Sequence, residues 1–305
     1  MKKTSGNIET MTKKCGFVSI IGNTNAGKST LLNYLIGEKV SIVSPKIQTT
    51  RQEIRGIVEY GQSQLIFVDT PGFCPSKTAL ERVLLSNFRR AYKNSDVTLV
   101  LIDCTKKNWE KDIDFVSHEK KLNRPFAVAL NKVDLLKDKK KLLTIADKLR
   151  TYHFIDEIFF ISAIKGTGIE PLRQYLADVV PESPWLYFED HDKTDQSLSS
   201  RLSEITRETI FEYLDQELPY SIYIRTDKLT VTDKRIKVMH SIVVMRDTQK
   251  AIVLGHKGST IRAIRLATIS KMRKIFNKNI ELKLFVIVRD KWTERKEHLI
   301  DAGLI

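Results

Sequence analysis

Residues 16–30 read Gly-Phe-Val-Ser-Ile-Ile-Gly-Asn-Thr-Asn-Ala-Gly-Lys-Ser-Thr, and this stretch decides the fold. Phe17, Val18, Ile20 and Ile21 form a short apolar run suited to a buried strand, and Leu31, Leu32 and Leu35 then take up helical spacing. Between them, Gly22-Asn23-Thr24-Asn25-Ala26-Gly27-Lys28-Ser29-Thr30 carries the Gly-x-x-x-x-Gly-Lys-Ser pattern of a phosphate-binding loop. A polyphosphate needs backbone N–H groups crowded around it, and side chains at positions 22 and 27 would obstruct that approach. The helix that follows adds the partial positive charge of its N-terminus. Lys28 is placed to reach the β- and γ-phosphates, and the Ser29 hydroxyl to ligate Mg²⁺.

Outward from the loop, apolar strand-like runs at 54–60, 65–68, 97–102, 126–130 and 158–161 alternate with helical patterns at 80–92, 112–121, 135–149 and from about Gly168. Continuous apolar strands separated by helices imply a mostly parallel sheet covered on both faces, an α/β domain over 15–180. Candidate chemistry falls at successive strand ends, where such sheets bind ligands. Asp69-Thr70-Pro71-Gly72 offers a carboxylate for Mg²⁺ and an N–H for the γ-phosphate. Gln48-Thr49-Thr50-Arg51 lies on a polar loop as a switch segment, with Thr50 (or Thr49) a second hydroxyl ligand to the metal that engages only with the γ-phosphate.

Asn131-Lys132-Val133-Asp134 selects the base. Asp134 can accept from guanine N1–H and the exocyclic amine, a donor pair adenine lacks. Asn131 and the Lys132 stem would steady the loop and the base face, and the Ala163 N–H of Ser162-Ala163 would donate to guanine O6. The ligand expected is GTP or GDP. A dinucleotide site is excluded, because Gly166-Thr-Gly168 runs on to Pro171 without a third glycine. Phe73 stands where Ras-like enzymes carry the water-orienting glutamine, so intrinsic hydrolysis should be slow. Asn25 is a candidate ligand for K⁺ placed where an arginine finger would act, or else simply a residue that tolerates an unusual loop dihedral.

The chain has 305 residues, enough for two domains, and 42% hydrophobic residues with 29% charged ones suit soluble packed cores. No apolar run approaches the ~20 residues of a membrane span. Residues 1–14 lack a signal-peptide pattern and read as a disordered arm. The three cysteines lack metal or disulfide spacing, which fits a reducing cytoplasm. A net charge of +14 implies an acidic partner: nucleic acid, a ribosome-like particle or an anionic membrane surface.

Pro181-Glu-Ser-Pro184 opens a polar connector over 181–196, expected to let the domains reorient. A second domain, 197–305, begins with a helix carrying Leu198, Leu202 and Ile205, followed by strand-like runs at 220–225 and 235–245. Ala251-Ile-Val-Leu254 leads into Gly255-His256-Lys257-Gly258 and a long helix from about Ser259, with Arg262, Arg265 and Arg273 on one flank and a last strand at 280–288. Few acidic residues occur between 250 and 296. Helix–Gly-x-x-Gly–helix beside a sheet is the KH arrangement, which grips about four nucleotides of single-stranded RNA.

Taken together, the chain resembles the Era family of bacterial GTPases, through Pro45-Lys-Ile-Gln-Thr-Thr-Arg51, Asp69-Thr-Pro-Gly72, Asn131-Lys-Val-Asp134, Glu217-Leu-Pro-Tyr-Ser221 and Gly255-x-x-Gly258. Thr24 replaces the family's usual proline, and Arg265 a glycine. The resemblance implies a Ras-like P-loop GTPase domain followed by a type II KH domain, and recognition of the 3′ end of 16S rRNA during small (30S) subunit maturation. It also implies K⁺ at Asn25 and peripheral association with the inner membrane, in a cytoplasmic protein expected to be monomeric. A static RNA-binding protein without turnover and a membrane-surface GTPase are the competing readings.

Overall fold

The computed structural model describes residues 12–43, 51, 53–72, 78–118, 124–188, 192–215 and 218–304. Of the candidate residues, Gln48, Thr49, Thr50 and Phe73 lie outside the described residues, as does the expected arm up to residue 11.

Strands β1 (Lys14–Ile21), β2 (Ile54–Tyr60), β3 (Ser63–Asp69), β4 (Val97–Asp103), β5 (Phe126–Asn131) and β6 (Glu157–Phe160) form one sheet in the order β2-β3-β1-β4-β5-β6. Only the β2–β3 pair is antiparallel. β3, β4 and β5 are buried at every position, because helices cover both faces. Helices α1 (Lys28–Ile36) and α5 (Ile169–Val179) bring Leu31, Leu32, Leu172 and Leu176 to one face. Helices α2 (Ala79–Lys93), α3 (Glu110–His118) and α4 (Lys140–Arg150) bring Phe88, Ile113 and Leu149 to the other. The chain leaves β1 toward β3 on one side and β4 on the other, so the loop after β1 sits at the switch point where open sheets bind ligands.

The second unit runs α6 (Leu198–Tyr213), β7 (Tyr223–Val231), β8 (Arg235–Val244), α7 (Asp247–Leu254), α8 (Ser259–Phe276), β9 (Asn279–Val288) and α9 (Lys296–Asp301). β7 pairs with β8 antiparallel and β8 with β9 parallel, the α7–α8 crossover making the parallel pair possible. This α-β-β-α-α-β order is that of a type II KH domain. Ile224, Ile242 and Val286 face Val253 and Ile264 of the helices, and Val238 and Leu282 face Leu202 and Met272.

Three local readings change. The helix expected from 135 starts at Lys140, after a 3-10 turn at Val133–Leu135, and the Asp138 carboxylate accepts from the Lys140 N–H at 2.9 Å. The strand expected at 220–225 starts at Tyr223, after a 3-10 turn at Leu218–Ser221, and runs on to Val231. Its polar half escaped notice because its outward side chains meet water and a bulge at Thr226/Lys228 breaks the alternation. The connector is fastened along the β2–β3 edge: the Gln64 side chain meets the Leu186 N–H and the Tyr187 N–H and carbonyl, and the Ile57 N–H bonds the Lys193 carbonyl.

The two units share a core. Leu80 and Leu84 of α2 pack with Tyr223, Val243, Trp292, Leu299 and Leu304, and the Asn87 amide donates to the Leu304 carbonyl at 3.0 Å. No helix among the described residues is long and apolar enough to cross a membrane.

Candidate nucleotide and RNA sites

The loop after β1 turns sharply because Gly22 adopts φ 151°, and a Cβ there would lie 2.3 Å from the Leu101 carbonyl oxygen. Gly27 caps α1 with no side chain over the helix start, and no acidic residue occupies the first turn to compete for an anion. Lys28 is 6% exposed, its Nζ donating to the Gly22 and Asn23 carbonyls at 3.0 and 3.1 Å. Burial pulls its pKa down, while the Asp69 and Asp112 charges oppose the fall. A cation held amid backbone carbonyls at a helix start is suited to meet phosphate oxygens.

Ser29 Oγ donates to Asp69 Oδ2 at 2.7 Å, and Ser41 Oγ to the same oxygen at 3.0 Å. A hydroxyl and a carboxylate in contact beside the loop are the oxygen donors that Mg²⁺ takes, so this pair fits the metal. Thr70 does not face the crevice; its hydroxyl donates to the Ile20 carbonyl at 3.0 Å and ties β3 to β1. Pro71 is buried, and Gly72 lies so close to Thr24 that a Cβ would come within 2.9 Å of the Thr24 nitrogen.

Asn131 joins two loops. Its Nδ2 donates to the Ala26 carbonyl at 2.7 Å, and its Oδ1 accepts from the Ala163 N–H at 2.9 Å. The Ala163 N–H, expected to donate to guanine O6, is therefore engaged by Asn131. Lys132, at φ 67°, sends Nζ to the Asn25 carbonyl and to Asp103 Oδ2, both at 2.7 Å. Gly27, Thr30, Asn131, Lys132, Asp134, Ser162 and Ala163 line a cavity of about 240 Å³, walled also by the exposed Leu135 and Ile164. Asp134 Oδ1 is buried without a hydrogen-bond partner among the described residues, the state of an acceptor shaped for a ligand's donors. Asn25 is exposed at φ 63°, the left-handed region that asparagine tolerates.

Two carboxylates of this site carried no sequence signal. Burial opposes ionisation of Asp103, yet Lys132 and the Thr105 N–H and hydroxyl hold its carboxyl below the usual range. Asp112 lies under the loop against Asn23, and burial pushes its pKa up to about 6. Each lies outside a recognisable motif, and only the folded sheet brings it to the loop.

Arg51 points away from the crevice. It is 4% exposed, and its guanidinium donates to the Ile222 and Pro219 carbonyls of the second unit at 2.7 and 3.3 Å. Burial and the neighbouring Arg207 lower its pKa to about 9. A second bridge centres on Glu208 of α6, whose carboxylate accepts from Lys39 Nζ at 2.7 Å, the Val43 N–H at 3.1 Å and Lys271 Nζ of α8 at 3.2 Å.

In the second unit, α7 ends at Gly255 and α8 begins after Gly258, with His256 and Lys257 exposed between them. Gly258 takes φ 77° with open space around its missing Cβ, so another backbone can approach closely there. Arg262, Arg265 and Arg273 are all exposed on α8, which lays a cationic flank beside the turn.

Comparison with known proteins bears on both units. Residues 17–132 match the family model described as 50S ribosome-binding GTPase, and residues 217–293 match that of the KH domain. GTPase Era of Mesorhizobium japonicum is 41% identical over 298 residues, 97% of this chain and 95% of that protein. The Rhizobium meliloti protein of the same name is 39% identical over 293 residues, 95% of this chain and 93% of that one. A crystal structure of an Aquifex aeolicus Era variant bound to GDP·AlF4⁻ superposes with a TM-score of 0.90 at 32% identity, covering 95% of this chain and 99% of that one. An Era structure with MgGDPNP and nucleotides 1506–1542 of 16S ribosomal RNA matches with the same score and identity, over 96% and 99%. With a GTPase unit, a KH unit and likeness along nearly its whole length, this chain belongs to the Era family of GTPases.

Proposed function

We propose that this protein is a GTP-hydrolysing switch that binds the 3′ end of 16S rRNA and assists small-subunit maturation, acting as a cytoplasmic monomer. Gly22 to Thr30 cradle the phosphates, Asp134 reads the guanine edge, and Asn131 and Lys132 hold the base loop against the phosphate loop. Ser29 and Asp69, joined by Thr50, would hold Mg²⁺, which supplies charge compensation at the β- and γ-phosphates when bound. Asn25 would add a K⁺ ligand. Gly255, His256, Lys257 and Gly258 would press on the RNA backbone, with Arg262, Arg265 and Arg273 beside its phosphates.

The observation that carries the switch is the pair of links between the units, each centred on a buried side chain, Arg51 or Glu208. Arg51 directly follows the Thr49–Thr50 hydroxyls and is seated on the carbonyls of Pro219 and Ile222. Glu208 ties Lys39 and Val43 to Lys271 on the helix that begins at the Gly-x-x-Gly turn. A ligand that draws the 38–51 segment toward a γ-phosphate therefore pulls on the helix that faces RNA, and shifts the population of RNA-competent orientations.

The test is binding of the 16S 3′-terminal segment, over a salt series, with a non-hydrolysable GTP analogue, with GDP and without nucleotide. Tighter binding in the GTP-analogue state, and over a scrambled RNA of equal length, is expected. Equal affinity in all three states leaves a static RNA-binding protein.

A further inference from the structure

The sheet of the second unit has α6, α7 and α8 on one face, and on the other α2 and α9 cover only the end at Tyr223 and Val243. The register of its strands shows what the rest of that face carries. Three rows run across β7, β8 and β9: Arg225–Ser241–Phe285, then Lys228–Met239–Lys283, then Thr230–Lys237–Glu281. At the near end of this face Tyr223 and Val243 are covered by α2, Trp292 and Leu299. Beyond them Lys228, Lys283 and Phe285 are exposed, Arg225 and Met239 are half-buried and Ser241 is buried. Phe285 is 46% exposed in the middle of a strand, and no other element among the described residues covers its ring.

The charge on this face is uneven. Arg225 is spent internally, on the bulged Asp227 at 2.7 Å, which also takes the Ser241 hydroxyl at 2.6 Å. Arg235 and Lys237 share the single carboxylate of Glu281 at 2.9 and 3.3 Å. Lys228 and Lys283 have no ion-pair partner among the described residues, and they flank Met239 from either side. Two strand spacings separate them, about 10 Å. An exposed ring one side-chain step along the strand from an unpaired lysine, on a pleated surface of net positive charge, is the combination that stacks a base while holding its phosphates. A protein partner with an acidic surface would satisfy the lysines, but it would not call for an aromatic ring standing free above a polar row.

We infer that this open sheet face is a second RNA-binding surface, on which Phe285 stacks an unpaired base while Lys228 and Lys283 hold the adjoining phosphates. It lies on the side of the sheet opposite the helix layer that carries the Gly-x-x-Gly turn. An RNA longer than the roughly four nucleotides of that groove has chain to spare for reaching it. The inference rests on the RNA-binding function proposed above.

Two RNAs and two variants test it in the full-length protein with GTP analogue present. The short RNA spans the groove alone, roughly six nucleotides, and the long one is the 16S 3′-terminal segment of roughly 30 or more. Phe285→Ala is expected to weaken the long RNA about tenfold and leave the short one unchanged. The double variant Lys228→Gln with Lys283→Gln is expected to lower the slope of log affinity against log salt by about 1.4, again for the long RNA only. All three residues are surface-exposed, so an unchanged melting curve will show that the variants fold. Wild-type affinity and salt slope for the long RNA in both variants would overturn the inference, as would equal losses for the short RNA. Wild-type protein that holds neither RNA would overturn the underlying function as well, and so is told apart from failure of this surface alone.

Discussion

Replacing Glu208 by glutamine removes one charge from the junction between the units and little else. The carboxylate is only 3% exposed as a side chain, and it faces Lys39 at 2.7 Å and Lys271 at 3.2 Å. Glutamine keeps the volume and still accepts from the Val43 N–H. Breaking a fully buried pair costs about 3–5 kcal/mol. Here Lys39 is 40% and Lys271 24% exposed, so both ammonium groups can turn to water, and we expect about 2 kcal/mol. On a chain of 305 residues that is a fall of about 3 °C in the melting midpoint. A double-mutant cycle with Lys39→Met should return a coupling of about 1 kcal/mol. The functional readout is the ratio of RNA affinities with GTP analogue and with GDP, which should move toward unity while GTP affinity holds. An unchanged midpoint together with an undiminished ratio would refute the idea that this junction carries the switch. Burial works against ionisation of Glu208, but Lys39, the Val43 N–H and Lys271 hold its carboxyl below the usual range. Its stabilisation is therefore complete above the ordinary glutamate pKa and is lost as acid protonates the folded form.

His240 gives a separate acid response. It is fully buried, with Nδ1 2.9 Å from the Thr206 hydroxyl, and burial lowers its pKa from 6.5 to about 4, against the attraction of Asp227. The unfolded chain takes up this proton first, so the stability of the second unit is complete above pH 6.5 and falls by about 3 kcal/mol on going down to pH 4. His240→Leu should flatten that part of the pH profile in urea titrations; an unaltered slope would count against the buried neutral imidazole. Asp134→Asn keeps the pocket's shape but loses the paired acceptor, so the preference for GTP over ATP should drop by about 100-fold in competition binding. Retained preference would move base recognition elsewhere in the cavity.

Much of the nucleotide site was legible in the chain because its motifs are local. The phosphate loop is continuous in sequence, and Asp69, Asn131 to Asp134 and Ser162–Ala163 each follow an apolar run. A run of buried residues announces a strand of a parallel sheet, and the ends of parallel strands converge on one edge. The Gly255-x-x-Gly258 turn was legible for the same reason, with a helix on either side. Register was harder to read where water, not burial, set the pattern. The polar half of β7 extends to Val231 because one of its faces is solvated, and no hydrophobic period marks it.

By itself, the sequence determined that a Gly-x-x-x-x-Gly-Lys-Ser loop, an Asn131-Lys-Val-Asp134 strand end and a Gly255-x-x-Gly258 turn occur in that order on one polypeptide. Such signals need only neighbours a few residues away, and backbone geometry and hydrophobic spacing express them directly. Tertiary structure alone decided the partners of residues far apart in the chain. Arg51 is turned from the nucleotide toward Pro219 and Ile222, Ala163 gives its N–H to Asn131, and Glu208 gathers Lys39, Val43 and Lys271. A charged side chain looks alike in sequence whether it is solvated or bridging. Its partner is chosen only when packing of the two cores excludes water and leaves one arrangement in which the buried charge is satisfied.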